Sequence, residues 1–230
     1  MAWSFNYYSK KKTGIASNVT AGLDTIAIRY PNHEVALNLI KYAKVPIAAP
    51  SANFSTQISS TSANHVKNYF SSKCIILEGT VEYGLESTIV DMSDDFNIQI
   101  LRHGAIPSEI IQEVLQKPIK DSNIVNKIIK APGMMRKHYS TRTQLKIGVK
   151  KLNPNEVGLN FGDSRLFGAY NLNLSSQANL KEAAKNLYSM LHILDDYAYR
   201  FKIKSISVAP VPMIGIGVAI NDRLYRASSK

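Results

Sequence analysis

Val45-Pro46-Ile47-Ala48-Ala49-Pro50-Ser51-Ala52-Asn53 is the stretch on which the reading of this chain turns. Val45–Ala48 is apolar and of strand length, while Pro50 fixes a backbone torsion and removes an amide donor, so a strand cannot run through it. The segment therefore predicts a buried strand ending in a stiff polar turn. Ser51 and Asn53 then offer a hydroxyl and an amide at the strand's carboxyl end, where open α/β sheets bind ligands. A polar turn of this kind also serves as a plain connection. Two other stretches keep it company. Upstream lies Val19-Thr20-Ala21-Gly22-Leu23-Asp24-Thr25-Ile26-Ala27-Ile28-Arg29, and downstream Glu86-Ser87-Thr88-Ile89-Val90-Asp91.

Glu34 to Lys44 reads as an amphipathic helix with Val35, Leu39 and Ile40 on one side. Ser59-Ser60-Thr61-Ser62 supplies N-caps for a helix through His65 to Tyr69. Cys74–Leu77, Ser87–Asp91 and Asn97–Leu101 read as strands separated by Gly79, Gly84 and an Asp94-Asp95 turn. Pro107-Ser108 opens a helix reaching about Gln116. Lys117–Thr143 is polar and carries breakers, so it reads as an interdomain linker. Beyond it, Gln144–Val149, Glu156–Asn160 and Gly168–Leu174 are strand-like. Asn179 to Arg200 is helical, because Leu180, Ala184, Leu187, Leu191, Leu194 and Ala198 recur at helical spacing. Ile203–Val208 returns as a strand and Gly217 leads into a short final helix. This alternation predicts a small parallel sheet of Rossmann-like type. Its first strand lacks a Gly-rich fingerprint, so dinucleotide binding there has no support.

The 230 residues are enough for one large or two modest domains, and a 45% hydrophobic fraction is ordinary for a globular chain. No apolar run approaches the ~18–20 residues of a membrane span. Met1–Tyr8 shows no basic leader followed by an apolar stretch. Cys74 is the single cysteine, which excludes an intramolecular disulfide and points to a reduced, cytoplasmic setting. In its apolar run Cys74 reads as a small core hydrophobe. Lys and Arg number 28 against 17 acidic residues, for a net charge of +11. Anionic partners such as nucleotides or RNA fit that excess, and so does a solvated lysine-rich surface.

Several side chains carry potential chemistry. Arg29 closes an apolar run ahead of Pro31 and can present its planar fork to a carboxylate or phosphate; from spacing alone it is also a plain strand-end arginine. Thr25 is a strand threonine by the same token. Glu86-Ser87-Thr88 offers two hydroxyls and turn amides to a small polar ligand, or simply starts a strand. Glu86 has no paired carboxylate and receives no acid–base role. Arg102-His103-Gly104 closes a strand with a cation, and its lone histidine has no sign of a metal or base role.

Together these stretches resemble the YrdC-like threonylcarbamoyl-AMP synthase family in its longer, two-domain form, from about Val19 to the end of the chain. The resemblance implies an α/β fold: an incomplete YrdC-like twisted-sheet domain over residues 1–116, a linker or lid over 117–143, and a small Rossmann-like parallel-sheet domain over 144–230. It implies a nucleotidyltransferase that joins L-threonine, bicarbonate and ATP into threonylcarbamoyl-adenylate and pyrophosphate, with magnesium accompanying ATP. The product serves a separate complex that modifies tRNA. Arg29, Ala49 and Ser87 match positions beside threonine. Thr25, Ser51, Asn53, Ser59, Arg102 and Tyr139 match positions beside ATP, Tyr139 belonging to a lid that excludes water. No catalytic acid, base or metal ligand is carried over.

The chain departs from the family pattern in four places. Phe54-Ser55-Thr56-Gln57 replaces a Ser-Gly continuation of the turn, putting threonine where glycine's freedom is usual. His103 replaces a proline, and Ser140-Thr141 stands where a proline follows the lid. Met1–Lys12 holds no equivalent of the family's Lys-x-Arg motif, since Lys10-Lys11-Lys12 differs in residues and context. The sequence thus reads as an N-terminally truncated homologue whose first domain lacks sheet partners and exposes edges. A non-catalytic homologue retaining nucleotide or RNA binding is the alternative.

Overall fold

The structure is a computed structural model, describing residues 5–70, 74–79, 81–121, 135 and 137–229. The chain divides into two compact units, Met1–Pro50 with Glu86–Met134, and Ser51–Leu85 with Met135–Lys230.

The first unit is built on a five-stranded mixed sheet of β1 (Phe5–Lys10), β2 (Thr25–Tyr30), β3 (Ile89–Asp91), β4 (Gln99–Arg102) and β5 (Lys120–Asp121), in the order β2-β1-β3-β4-β5. β1 runs antiparallel to β2 and parallel to β3, and β3 is antiparallel to β4. Because side chains alternate across a sheet, β3 and β4 bury residues on both faces. Val90, Ile98 and Ile100 pack with Ile111 of α3 (Ser108–Leu115), while Tyr8, Ile89 and Leu101 form a second cluster. The turn before β4 is the expected one: Asp94 Oδ1 accepts the Phe96 amide at 3.0 Å and the Asp94 carbonyl accepts that of Asn97 at 3.1 Å.

β1 is an element to which the sequence reading assigns no structure, and it supplies partners on both sides where a lack of them is expected. The expected exposure appears instead at β2, which forms a sheet edge with Tyr30 72% exposed. It appears also on α1 (Glu34–Ala43), none of whose residues is buried. Val45–Ala48 is not a buried strand. It follows the left-handed cap at Lys44, contains one of two closely spaced prolines, and is exposed outside any described ladder. Pro46 and Pro50 remove the amide donors that pairing needs. Cys74–Leu77 likewise forms no strand among the described residues. Cys74 is exposed rather than a core residue, and Ile75 is 94% exposed. A four-residue apolar run without a polar-alternate face gave no register to pair on.

The second unit carries a four-stranded sheet of β6 (Gln144–Lys146), β7 (Glu156–Asn160), β8 (Asn171–Asn173) and β9 (Ser205–Val208), ordered β6-β9-β7-β8 with every pair parallel. All five residues of β7 are buried, as a central parallel strand requires. α4 (Leu180–Arg200) begins at Asn179, whose side chain accepts the amides of Lys181 and Glu182. Its Ala184, Leu187, Leu191, Leu194 and Ala198 are buried, as are Ile220 and Leu224 of α5 (Ile216–Ser228). At 13 residues α5 is longer than the short helix expected. α2 (Ala63–Phe70) also belongs to this unit, with Ser62 Oγ accepting the His65 amide at 3.2 Å. Much of the expected linker, residues 122–134 and 136, lies outside the described residues.

Candidate functional site

In the first unit the sheet register gathers three of the singled-out residues. Arg29 on β2 faces Asn6 on β1, and Asn6 in turn faces Ile89 on β3. Arg29 Nε donates to Asn6 Oδ1 at 2.8 Å and its Nη2 to Ser87 Oγ at 3.1 Å. From the end of β4, Arg102 donates through Nε and Nη2 to the Ser87 carbonyl at 3.2 and 3.1 Å, and Nη2 reaches Ser87 Oγ at 3.4 Å. Arg102, Ser87 and Thr88 are buried and Arg29 is half-buried. Thr88 locks the loop by donating to the Ile106 carbonyl at 2.6 Å and accepting the Ile106 amide at 3.2 Å.

Two guanidinium groups thus converge on one serine. Burial lowers the Arg29 pKa, the neighbouring Arg102 charge lowers it further, and Glu86 opposes both. A carboxylate or phosphate held here relieves that repulsion through charge-assisted bonds, whereas a neutral ligand does not. Asn6 escapes the sequence reading entirely; a lone asparagine among tyrosines carries no local signal of its partner 23 residues away.

Thr25 lies at the other end of β2, paired with Lys10. Arg29 is four steps further along the strand, roughly 13 Å away at a rise of ~3.3 Å per residue. Thr25 lines a cavity of about 510 Å³ with Lys10, Lys11, Lys12, Thr13, Asp24 and Ser93. Ala49 is exposed in irregular backbone. His103, half-buried, places Nε2 3.1 Å from Asp121 Oδ1 of β5.

The remaining candidates belong to the second unit. Ser51 is exposed, and Asn53 Nδ2 donates to the carbonyls of Phe54 at 2.9 Å and Gln57 at 3.0 Å. Among the described residues Asn53 Oδ1 is buried with no bonded partner. Ser60 Oγ donates to the Ala52 carbonyl at 2.7 Å, closing the loop. Thr56 sits at φ +69°, the left-handed region. The loop therefore keeps a glycine-like path with a β-branched residue, a conformation costing about 1–3 kcal/mol that its surroundings must impose. Ser59 is buried.

Tyr139 is 1% exposed and has φ +60°. Its ring stacks on Tyr188 of α4 at 5.4 Å, with the Arg223 guanidinium of α5 5.3 Å from its centroid. The next amide, of Ser140, donates to the Thr56 carbonyl at 2.7 Å. The ring is therefore packed within this unit rather than displayed, while Gly133, Met134 and Arg136 of the expected lid lie outside the described residues. Among the described residues no three His, Cys, Asp or Glu side chains cluster as metal ligands, and no helix is long and apolar enough to cross a membrane.

Two family profiles match the chain. One, described as "Telomere recombination", covers residues 6–104; the other, "Threonylcarbamoyl-AMP synthase, C-terminal domain", covers residues 106–229. The chain is 34% identical over 231 residues to a threonylcarbamoyl-AMP synthase of Pyrococcus abyssi (strain GE5 / Orsay), a match covering 91% of this chain and 66% of that protein. It is 33% identical over 241 residues to one of Bacillus subtilis (strain 168), covering 95% of this chain and 67% of that protein. The chain thus spans about two thirds of the length of these relatives. The crystal structure of P. abyssi Sua5 complexed with L-threonine superposes with a TM-score of 0.83 at 31% identity, covering 97% of this chain and 70% of that one. Matching profiles in tandem across both units, relatives above 30% identity and a shared fold give one conclusion: the chain belongs to the threonylcarbamoyl-AMP synthase family, in its two-domain YrdC-like form.

Proposed function

We propose that this chain serves the synthesis of L-threonylcarbamoyladenylate from L-threonine, bicarbonate and ATP. The observation that carries the reading is the pair of guanidinium groups that meet at Ser87 and offer cations to anionic ligands beside a hydroxyl. A relative of the same fold is complexed with L-threonine, whose carboxylate fits Arg29 and whose polar groups fit Ser87 and the backbone near Ala49. Thr25, Ser51, Asn53, Ser59, Arg102 and Tyr139 are assigned to ATP on the family resemblance.

In the reaction the threonine amine condenses with bicarbonate, losing water to give a carbamate. A carbamate oxygen then bonds to the α-phosphorus of ATP while the bond from that phosphorus to the bridging oxygen breaks, and pyrophosphate leaves with the electron pair. The chain's part is placement and neutralisation of anionic charge, not proton transfer by a paired carboxylate. Among the described residues no cluster of side chains forms a cage for magnesium. An ion of this kind would keep water and phosphate oxygens as ligands.

We place the reaction in the cytoplasm, with the adenylate passed to a tRNA-modifying complex. Pyrophosphate release from ATP that requires both L-threonine and bicarbonate tests the reading. ATP binding by a folded sample without such release favours the non-catalytic alternative, for which contact with RNA through the basic surface is the corresponding function.

A further inference from the structure

We propose that His192 of α4 is a positioning residue for the nucleotide site, through its grip on Ser59. This rests on the assignment of Ser59 to ATP above, and it gives α4, which bears none of the candidate residues, a part in binding. His192 Nε2 lies 3.2 Å from the Ser59 carbonyl oxygen, across 133 residues of sequence. A carbonyl only accepts, so the proton sits on Nε2 of His192. The ring lies tilted against that of His65 of α2, with centroids 4.1 Å apart and the planes at 35°. His65 Nδ1 accepts the Thr61 amide at 3.2 Å and therefore carries its own proton on Nε2. Both tautomers are set by the chain itself.

The loop that bears the ATP candidates is closed on itself by Ser60 to Ala52 and by Asn53 to Gln57. Those bonds shape it, and the Ser140 amide on the Thr56 carbonyl at 2.7 Å fastens one side of it to the unit. The His192–Ser59 bond and the His65–His192 ring contact fasten the other side, at the Ser59–Thr61 end. The Tyr69 ring, 6.4 Å from His192 and 5.2 Å from Phe54, continues the contact along the same face. Burial holds both imidazoles toward the neutral form; at His192 the Ser59 carbonyl and then Asp196 oppose it, and at His65 Asp196 does. A neutral pair meets without the repulsion two cations would bring.

The test is calorimetric titration of the 230-residue chain with ATP and, separately, with L-threonine. His192→Phe keeps a ring against His65 but cannot donate; His192→Gln keeps an N–H near the position of Nε2. The phenylalanine variant is expected to bind ATP about five- to tenfold more weakly, the size of one lost neutral hydrogen bond, with L-threonine affinity unchanged. The glutamine variant is expected to recover most of the ATP affinity, which a general packing defect would not do. Parental ATP affinity in His192→Phe, or equal losses for both ligands, overturns the role of His192 and leaves the functional reading standing. A parent chain that binds no ATP overturns that reading and this inference together. If His192→Phe does not fold, the comparison of His192→Gln with His192→Leu decides in the same way.

Discussion

Gly104 lies with its α-carbon against the backbone of Thr88: a Cβ built on Gly104 would fall 2.2 Å from the Thr88 nitrogen and 2.4 Å from the Glu86 carbonyl oxygen. The Arg102-His103-Gly104 and Glu86-Ser87-Thr88 motifs are therefore in direct contact, and neither side of that contact is a flexible side chain.

Gly104→Ala should accordingly cost stability, about 1–3 kcal/mol for overpacking against backbone. It should also displace the Ser87 carbonyl from Arg102. Urea denaturation read by circular dichroism measures the first effect and L-threonine titration the second. Parental values in both would mean that the two motifs are not packed as described.

Arg29→Ala should weaken L-threonine binding by about 10–100-fold, the range of a lost hydrogen bond to a charged group, and leave ATP affinity nearly unchanged. Arg29→Lys should not restore it, because an ammonium cannot span Asn6 and Ser87 with one planar fork. Calorimetry with each ligand distinguishes the cases, and an equal loss of both ligands removes Arg29 from its assigned role.

Glu156 governs stability in acid. Its buried carboxylate accepts from Lys146 Nζ at 2.5 Å, Ser205 Oγ and Ser207 Oγ at 3.0 Å and the Asn153 amide at 3.1 Å. Burial alone would raise its pKa, but these donors outweigh it and hold the group at about 2 instead of 4.5. The unfolded chain therefore takes up this proton first. The stabilisation is complete above about pH 4.5 and is lost as pH falls toward 2. Glu156→Gln should flatten the pH dependence of the thermal midpoint in that window, and an unchanged slope would show that another carboxylate controls it.

His65 acts in a higher window. Burial first, then the neighbouring His192, lower its pKa from 6.5 to about 4. The folded state holds it neutral while the unfolded chain protonates near pH 6.5, so this contribution is present above about 6.5 and disappears toward 4. Following the imidazole carbon-bound protons by NMR should give a midpoint near 4 for His65. A midpoint near 6.5 would mean that the contact with His192 is open to water.

Leu187→Ala removes a fully buried side chain from the helix that covers the parallel sheet. Its cost should be about 2–5 kcal/mol, seen as a lower denaturant midpoint with the slope unchanged.

How far the fold was legible follows from the range of each signal. α4 is visible because its apolar residues repeat within the helix itself, and β7 because Val157 and Leu159 alternate with Glu156, Gly158 and Asn160. The parallel character of the second sheet follows from the alternation of those elements. β1 is not visible, since Phe5–Lys10 becomes a strand by lying between β2 and β3, one of which is about 80 residues away in sequence. Val45–Ala48 misleads for the opposite reason: its apolar content suits a strand, while its prolines and lack of a partner do not. The same holds for Cys74, read as buried from its neighbours and found exposed.

At the candidate site the residue types were readable and their company was not. Periodicity, turn chemistry and the motifs around Arg29, Ser51, Ser87 and Arg102 are properties of short windows, and they suffice to identify the family and most of the elements. That Arg29 and Arg102 share one serine, that Asn6 orients the first of them, and that His192 reaches Ser59 depend on strand register and helix packing. A shift of one residue in β2 would turn Arg29 to the other face of the sheet. Hydrogen-bond partners separated by 58 or 133 residues leave no trace in local composition; they exist only once the packed backbone has brought donor and acceptor within reach.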